Sequence, residues 1–318
     1  MKWKKLGKIF DPTEHTLPNT CVEFAQSPQA LVFDEFVRIY FSTRERDPTN
    51  GKYLSHIAFV DMKPHSWETI GVATRPVIPL GKLGCFDEHG IFPMNVLRHD
   101  GRIFGYTCGW SRRASVSVET SIGLAFSLDG GLTFTKTGDG PIVSSSLHEP
   151  FLVGDAFVRV YGGTFHMWYI FGTAWRRLSD ATAPERIYKI AHAVSVDGVS
   201  WTKEEGRRII ADRLNADESQ ALPTVIEISG RLHMFFCYRE SSDFRKNRMR
   251  GYRIGYAYSD DLARWTRNDA NVGIDVSEGS WDSDMMCYPH VFECDGKAYL
   301  LYNGNEFGRR GFGVAILE

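Results

Sequence analysis

The sequence lacks most of the features by which several functional classes reveal themselves. No apolar run approaches the roughly 20 residues that a membrane-spanning helix needs, so no membrane span is expected. The amino end, Met1–Phe10, carries Lys2, Lys4, Lys5 and Lys8 but no apolar stretch of about 7–15 residues behind them, and does not read as a secretory leader. The six cysteines (Cys21, Cys85, Cys108, Cys237, Cys287 and Cys294) form no Cys-x-x-Cys pair and no framework spacing. They read as reduced thiols of a cytoplasmic protein, several of them acting as small hydrophobes in strand-like runs. There is no HExxH pattern and no spaced Cys/His set, so neither a metal nor another cofactor is expected. A net charge of −2 supplies no excess of positive charge to draw DNA, RNA or an anionic membrane.

What remains is a chain of 318 residues, 43% apolar, 24% charged and 13% aromatic, enough for a large β-rich core. One pattern recurs along it. Ile122–Gly130 leads to Phe134, Ile190–Gly198 to Trp201 and Ile254–Asp261 to Trp265, with a weaker copy from His56–Asp61 to Trp67. Each is an alternating strand, an Asp/Gly-type turn and an aromatic-anchored return strand. Ahead of each copy runs a hairpin: Pro28–Phe33 with Val37–Phe41, Pro93–Leu97 with Arg102–Tyr106, Ala156–Val160 with Thr164–Tyr169, Pro223–Glu227 with Leu232–Phe236, and Pro289–Glu293 with Lys297–Tyr302. The turns His99-Asp100-Gly101, Gly162-Gly163, Ser229-Gly230 and Cys294-Asp295-Gly296 join most of these strands.

Four strands per repeat and five repeats predict an all-β, five-bladed β-propeller occupying 1–318 as one domain. A two-sheet sandwich would need no fivefold period. The last repeat stops one strand short after Gly311–Leu317, and Lys2–Phe10 is expected to supply that strand, with Trp3 as its aromatic, so that the ring closes without an open edge. Residues 181–186 and 241–250 are the expected irregular insertions.

In such a ring the innermost strands line the axis, so functional side chains are sought where the chain leads into them. Glu23, Glu88, Glu218 and Asp284 each stand five residues before an inner-strand proline (Pro28, Pro93, Pro223, Pro289); the third repeat offers Glu149 and Asp155 instead. Carboxylates gathered around one axis would raise one another's pKa, and glycoside cleavage uses that asymmetry: one acid protonates the leaving oxygen while another carboxylate activates water or attacks the sugar. Asp87, His89 and Tyr288 cluster at the same places, Arg44 and Arg239 follow second strands, and Trp110 and Trp175 offer faces on which a sugar would stack.

The Ser-x-Asp-Gly-x-x-Trp hairpins, as in Ser195–Trp201, and the inner strands ending in Asp-Gly turns carry a resemblance over essentially the whole chain. It resembles the five-bladed propeller glycosidases of the arabinanase/β-xylosidase and invertase/levansucrase type, with their phosphorylase relatives. The resemblance implies a base Asp directly before the first inner-strand proline, where Ser27 stands, and a pKa-tuning Asp matched by Asp155. It implies an acid Glu two places before the fourth proline, where Ala221 stands with Glu218 nearby, and a fifth-blade His near a central ion or water, matched by His290. The invertase-type Asn-Asp-Pro-Asn motif is absent.

The expectation is a glycoside hydrolase-like enzyme acting on an oligosaccharide or glycoconjugate, including one bearing an acidic or phosphate group. Glu218 would be the acid, Glu23 or Glu88 the base or nucleophile, and Asp155 the tuner. Asp87, His89, Trp110, Glu149, Trp175, Arg44, Arg239, Asp284, Tyr288 and His290 would bind substrate. Phosphorolysis or glycosyl transfer, and a non-catalytic carbohydrate-binding propeller, are the alternatives.

Overall fold

A computed structural model describes residues 1–177 and 183–318. Almost every element is an antiparallel strand, and the strands fall into sets of four. The first set is Glu23–Val32, Val37–Arg46, Tyr53–Met62 and Thr69–Val72; the second is Gly90–His99, Arg102–Arg112, Val118–Ser127 and Thr135–Lys136. The third is Val153–Tyr161, Thr164–Arg176, Glu185–Ser195 and Thr202–Lys203; the fourth is Ser219–Ile228, Arg231–Arg239, Arg253–Ser259 and Thr266–Arg267. Cys287–Cys294, Lys297–Asn303 and Phe312–Leu317 form the last set, completed by Trp3–Phe10, which pairs with Phe312–Leu317 from Trp3↔Leu317 to Phe10↔Phe312. The first two sets are linked through a single parallel bridge, Ser55↔Gly90. Each set's first strand packs against the first strand of the next, and the fifth packs back on the first, an arrangement consistent with a propeller. No helix is long and apolar enough to cross a membrane among the described residues.

Local chemistry explains the hairpins. Asp100-Gly101, Gly162-Gly163, Ser229-Gly230 and Asp295-Gly296 are two-residue turns with positive φ at both positions, the mirror-image turn whose twist matches paired strands. The Ser-x-Asp turns are closed by side chains: Ser195 Oγ donates to Asp197 Oδ1 at 2.8 Å, and that oxygen accepts from the Val199 and Ser200 N–H groups at 2.8 Å each. Glu185 and Arg186 lie within a strand rather than in an insertion, and 181–182 lie outside the described residues, whereas 241–250 carry no strand.

The aromatic that ends each repeat reaches into the neighbouring set. Trp67 meets Tyr299 edge-on at 5.0 Å, Phe134 meets Tyr40 at 5.7 Å and Trp201 meets Tyr106 at 6.0 Å. Trp265 meets Trp168 at 6.0 Å, and Trp3 meets Phe235 at 5.3 Å. All five are T-shaped, and each joins the outer hairpin of one set to the second strand of the set before it. Edge-to-face pairs add about 0.5–1.5 kcal/mol to the burial of the rings themselves. Trp67 is 5% exposed, so Trp67→Ala is expected to cost about 3–5 kcal/mol in urea unfolding; an unchanged midpoint would show that the clasp between the first and fifth sets is dispensable.

Candidate active site

The first strand of every set is interrupted at one equivalent place. Its pairing register slips between Gln26 and Gln29, Ile91 and Met94, Gly154 and Phe157, Ala221 and Thr224, and Cys287 and His290. At these bulges Ser27, Asp155, Leu222 and Tyr288 have φ between 49° and 56°, and Phe92 precedes a cis Pro93. Proline follows in four of the five cases (Pro28, Pro93, Pro223, Pro289), where its missing N–H removes nothing from a ladder already broken. Left-handed backbone at a side chain with a Cβ is costly and bulges re-aim what they carry. Here Phe92, Asp155, Leu222 and Tyr288 all line one cavity of about 240 Å³. Ser27 does not reach it; it is buried, with its N–H donating to Asn303 Oδ1 at 2.8 Å.

Arg44, Tyr53, Trp110, Arg186, Tyr188 and Tyr252 add further polar and aromatic surface to the wall, with Ser55 and Thr120. Asp155 is the one carboxylate among the described residues that line it. Burial pushes its pKa up to about 7, against the opposing charge of Arg186 and hydrogen bonding from the Leu222 N–H and the Cys108 thiol. Burial likewise lifts the Cys108 thiol far above its ordinary range, so it is a neutral donor and no nucleophile. Tyr188 and Tyr252 share a hydroxyl–hydroxyl hydrogen bond of 2.5 Å, and Arg239 Nη2 donates to Tyr188 Oη at 3.2 Å. Desolvation holds the Tyr252 and Tyr288 hydroxyls protonated.

Arg44 has no ion-pair partner among the described residues, and its Nε is buried without a hydrogen bond. Its guanidinium lies 4.6 Å over the Phe24 ring and 5.4 Å from that of Tyr53. Burial and the like charge of Arg186 both disfavour its protonated form. The cavity therefore sets two guanidinium groups against one carboxyl group whose burial favours the protonated form.

Four carboxylates that lead into inner strands do something else. Asp87 pairs with Lys136, Glu149 with Lys203, Glu218 with Arg267 at 2.6 Å and Asp282 with Lys5 at 2.5 Å. In each case the base comes from the outermost strand of the same set, so the pair ties the two edges of that sheet together. Glu218 is wholly buried and also accepts from the Arg213 and Leu214 N–H groups and Gln220 Nε2, each at 2.9 Å. Burial works to raise its pKa, but Arg267 and these donors outweigh it and keep the carboxylate ionised. A group fixed in that state is poorly placed to give up a proton.

The remaining expected site residues are dispersed. Glu23 is held by Arg309 Nε at 2.7 Å, outside the cavity. Glu88 accepts from the Gly84 N–H at 2.7 Å and lies 3.2 Å from His89 Nδ1; His89 backs Trp110 with its ring 5.9 Å away. Trp175 packs against the core, and Asp284 faces a separate outer cavity. Arg239 is buried beneath the wall, 3.6 Å from the Phe244 ring centroid. His290 is buried two residues below the bulge, between Phe157 and Phe292, with both ring nitrogens unpartnered and burial keeping it neutral. One imidazole without a carboxylate does not make a protein-ligated ion site, and among the described residues no group of three His, Cys, Asp or Glu side chains is placed to hold a metal.

Across its full length the chain is 34% identical to two proteins of Mycobacterium tuberculosis, "Uncharacterized protein MT1551" and "Uncharacterized protein Rv1502", covering 100% of both sequences in each comparison. The chain belongs to their family. No protein-family model matches it. Among solved structures it is similar to that of BT0996 in its RGII complex (TM-score 0.72, 17% identity, 99% of this chain and 92% of that one). It is also similar to a thermostable family-43 glycoside hydrolase (0.63, 15%, 95% and 92%) and to the β-1,2-mannobiose phosphorylase of Listeria innocua (0.69, 12%, 100% and 97%). The fold is that of the propeller glycoside hydrolases.

Tyr188, Tyr252, Tyr53, Arg186, Phe92 and Leu222 are wall residues that the sequence reasoning passed over. A usable signal existed for two of them: Phe92 and Leu222 occupy the place directly before an inner-strand proline. The ionic ties also make a clear forecast. Glu218→Gln leaves Arg267 buried beside a neutral group and is expected to destabilise the fold by about 3–5 kcal/mol. A melting temperature equal to that of the parent would contradict this structural role.

Proposed function

We propose that the five strand sets are the blades of one closed five-bladed propeller spanning 1–318, and that its axial cavity binds a sugar and cleaves a glycosidic bond with Asp155 as the general acid. The observation that carries this reading is the place of Asp155 as the one carboxyl group on the described cavity wall, where burial pushes its pKa up to about 7. At neutral pH that group is both available as a proton donor and strong enough to use. Trp110 and the tyrosines supply faces and hydroxyls for a sugar, and the likeness to carbohydrate-active folds supports the substrate class. The acid role moves from Glu218 to Asp155 because Glu218 is held ionised off the cavity.

A second reading concerns the acceptor. No other described carboxylate lines the wall to activate water, whereas Arg44 and Arg186 do line it. An anionic acceptor such as phosphate needs no protein base. A phosphate oxygen would bond to the anomeric carbon as the carbon–oxygen bond breaks, Asp155 would protonate the departing oxygen, and the proton of the resulting sugar phosphate would return to Asp155. One protein acid then suffices, and the similarity to a mannobiose phosphorylase supports this variant.

A panel of oligosaccharides and aryl glycosides, with and without phosphate, tests both. Asp155→Asn is expected to lower kcat by about 10²–10⁴ while sugar binding persists. The parent's rate is expected to fall as pH rises above about 7, where the acid is lost. Sugar binding without product from any member of the panel would make this a binding propeller. Stability offers an independent check. The folded chain holds the Asp155 proton to about pH 7 against an ordinary 3.8, so this group favours folding least at and above pH 7 and progressively more as pH falls toward 4. Asp155→Asn should flatten that slope; an identical stability–pH curve would mean Asp155 titrates normally.

A further inference from the structure

Beside the axial cavity lies a second, outer one of about 520 Å³, and Arg44 lines both. It is built from Phe24 of the first set, Phe244, Arg245, Lys246 and Arg248 of the 241–250 insertion, Asp284 and Met285 ahead of the fifth inner strand, and the turn carrying Glu306, Phe307 and Arg309. The insertion is ordered rather than trailing. Asp243 O accepts from the Lys246 and Asn247 N–H groups at 3.0 and 2.9 Å, and Arg250 N–H donates to Asn247 O at 2.9 Å. Phe244, 4% exposed, is clamped between the guanidiniums of Arg239 and Arg245 at 3.6 and 4.2 Å.

This outer wall carries five cations (Arg44, Arg245, Lys246, Arg248, Arg309) and two carboxylates (Asp284, Glu306), in a chain whose net charge is −2. Arg245 is bound to Glu185, and Arg309 to Glu23 and Glu306. Arg44, Lys246 and Arg248 have no carboxylate partner among the described residues. Arg44, shared by the two cavities, and the exposed Lys246 and Arg248 stand against one carboxylate of this wall, Asp284, that likewise has no ion-pair partner among the described residues. The excess of two positive charges is more than a single sugar carboxylate would neutralise. The three cations suit a phosphoryl or diphosphoryl group, whose several oxygens accept from forked guanidiniums and an ammonium together.

Building on the reading that a sugar occupies the axial cavity, we infer that its substrate is phosphorylated. A phosphate or diphosphate attached to the glycan lies in the outer cavity on Arg44, Lys246 and Arg248, with the sugar reaching past Arg44 to Asp155.

Calorimetric titration of the full chain with inorganic pyrophosphate, inorganic phosphate and glucuronate tests this. Saturable pyrophosphate binding at least tenfold tighter than glucuronate binding is expected. The Lys246→Glu/Arg248→Glu double variant should weaken it at least tenfold, and Asp155→Asn should leave it intact. Both substituted cations sit on a loop outside the sheets, so a circular-dichroism spectrum and melting temperature like the parent's are expected. Absence of saturable binding, glucuronate binding as tight as pyrophosphate, or an unaffected double variant with loss only in Arg186→Ala would each overturn the inference. Binding to phosphatidate-containing vesicles but not to pyrophosphate would put a membrane against this face and overturn it as well. The catalytic reading is judged separately, by turnover of the Asp155→Asn variant, so either can fail while the other stands.

Discussion

The structure depends on edge-to-face aromatic pairs that pass from each four-stranded set to the one before it. One four-stranded repeat cannot bury its apolar faces alone and relies on its neighbours to cover them. Here the outer hairpin of each set presents Trp67, Phe134, Trp201, Trp265 or Trp3 to Tyr299, Tyr40, Tyr106, Trp168 or Phe235. Because every set is clasped on both sides, no set carries its own stability. The ion pairs Asp87–Lys136, Glu149–Lys203, Glu218–Arg267 and Asp282–Lys5 act within a set instead, tying inner lead-in to outermost strand through a buried carboxylate. Neither of the two repeated devices involves the bulges of the inner strands, four of which line the cavity.

The fold was largely legible because its determinants are local and repeated. Alternating strands, Asp-Gly or Gly-Gly turns and a terminal aromatic recur with little change, and even Trp3 could be assigned from the strand missing after Leu317. The site was legible only in part. Glu218 and Glu149 look in sequence like acids poised at a cleft, yet their partners Arg267 and Lys203 lie about fifty residues downstream, and only the folded sheet brings them together. Of the four carboxylates that stand five residues before an inner-strand proline, only Glu218 is tied to the outermost strand of its own sheet; Glu23, Glu88 and Asp284 have other surroundings. Asp155 differs because its four counterparts, Ser27, Phe92, Leu222 and Tyr288, are not acids. Tyr188 and Tyr252 carry no local mark at all, since they become neighbours only through adjacent sheets.

Chemically, the axial cavity is defined by imbalance. A carboxyl group whose burial favours the protonated form faces the guanidinium groups of Arg44 and Arg186, and the tyrosines contribute hydroxyls. The outer cavity extends the positive side of that imbalance toward solvent through Arg44, which rests on Phe24 and Tyr53. The insertion at 241–250 shapes the approach, and Arg239, buried below, holds it in place through Phe244.

The pairing of Trp3–Phe10 with Phe312–Leu317 also governs how the molecule comes into being. Trp3–Phe10, which precedes the other strands of the five sets in the sequence, pairs with Phe312–Leu317, which follows them, so Trp3 and Phe10 remain without a seat until that later strand is made. Four sheets can assemble in order behind the growing chain, but the fifth, and with it the clasp onto Phe235, waits until Phe312–Leu317 has left the ribosome. Until then the last set exposes an unpaired strand edge, the interval in which association with another polypeptide competes with completion.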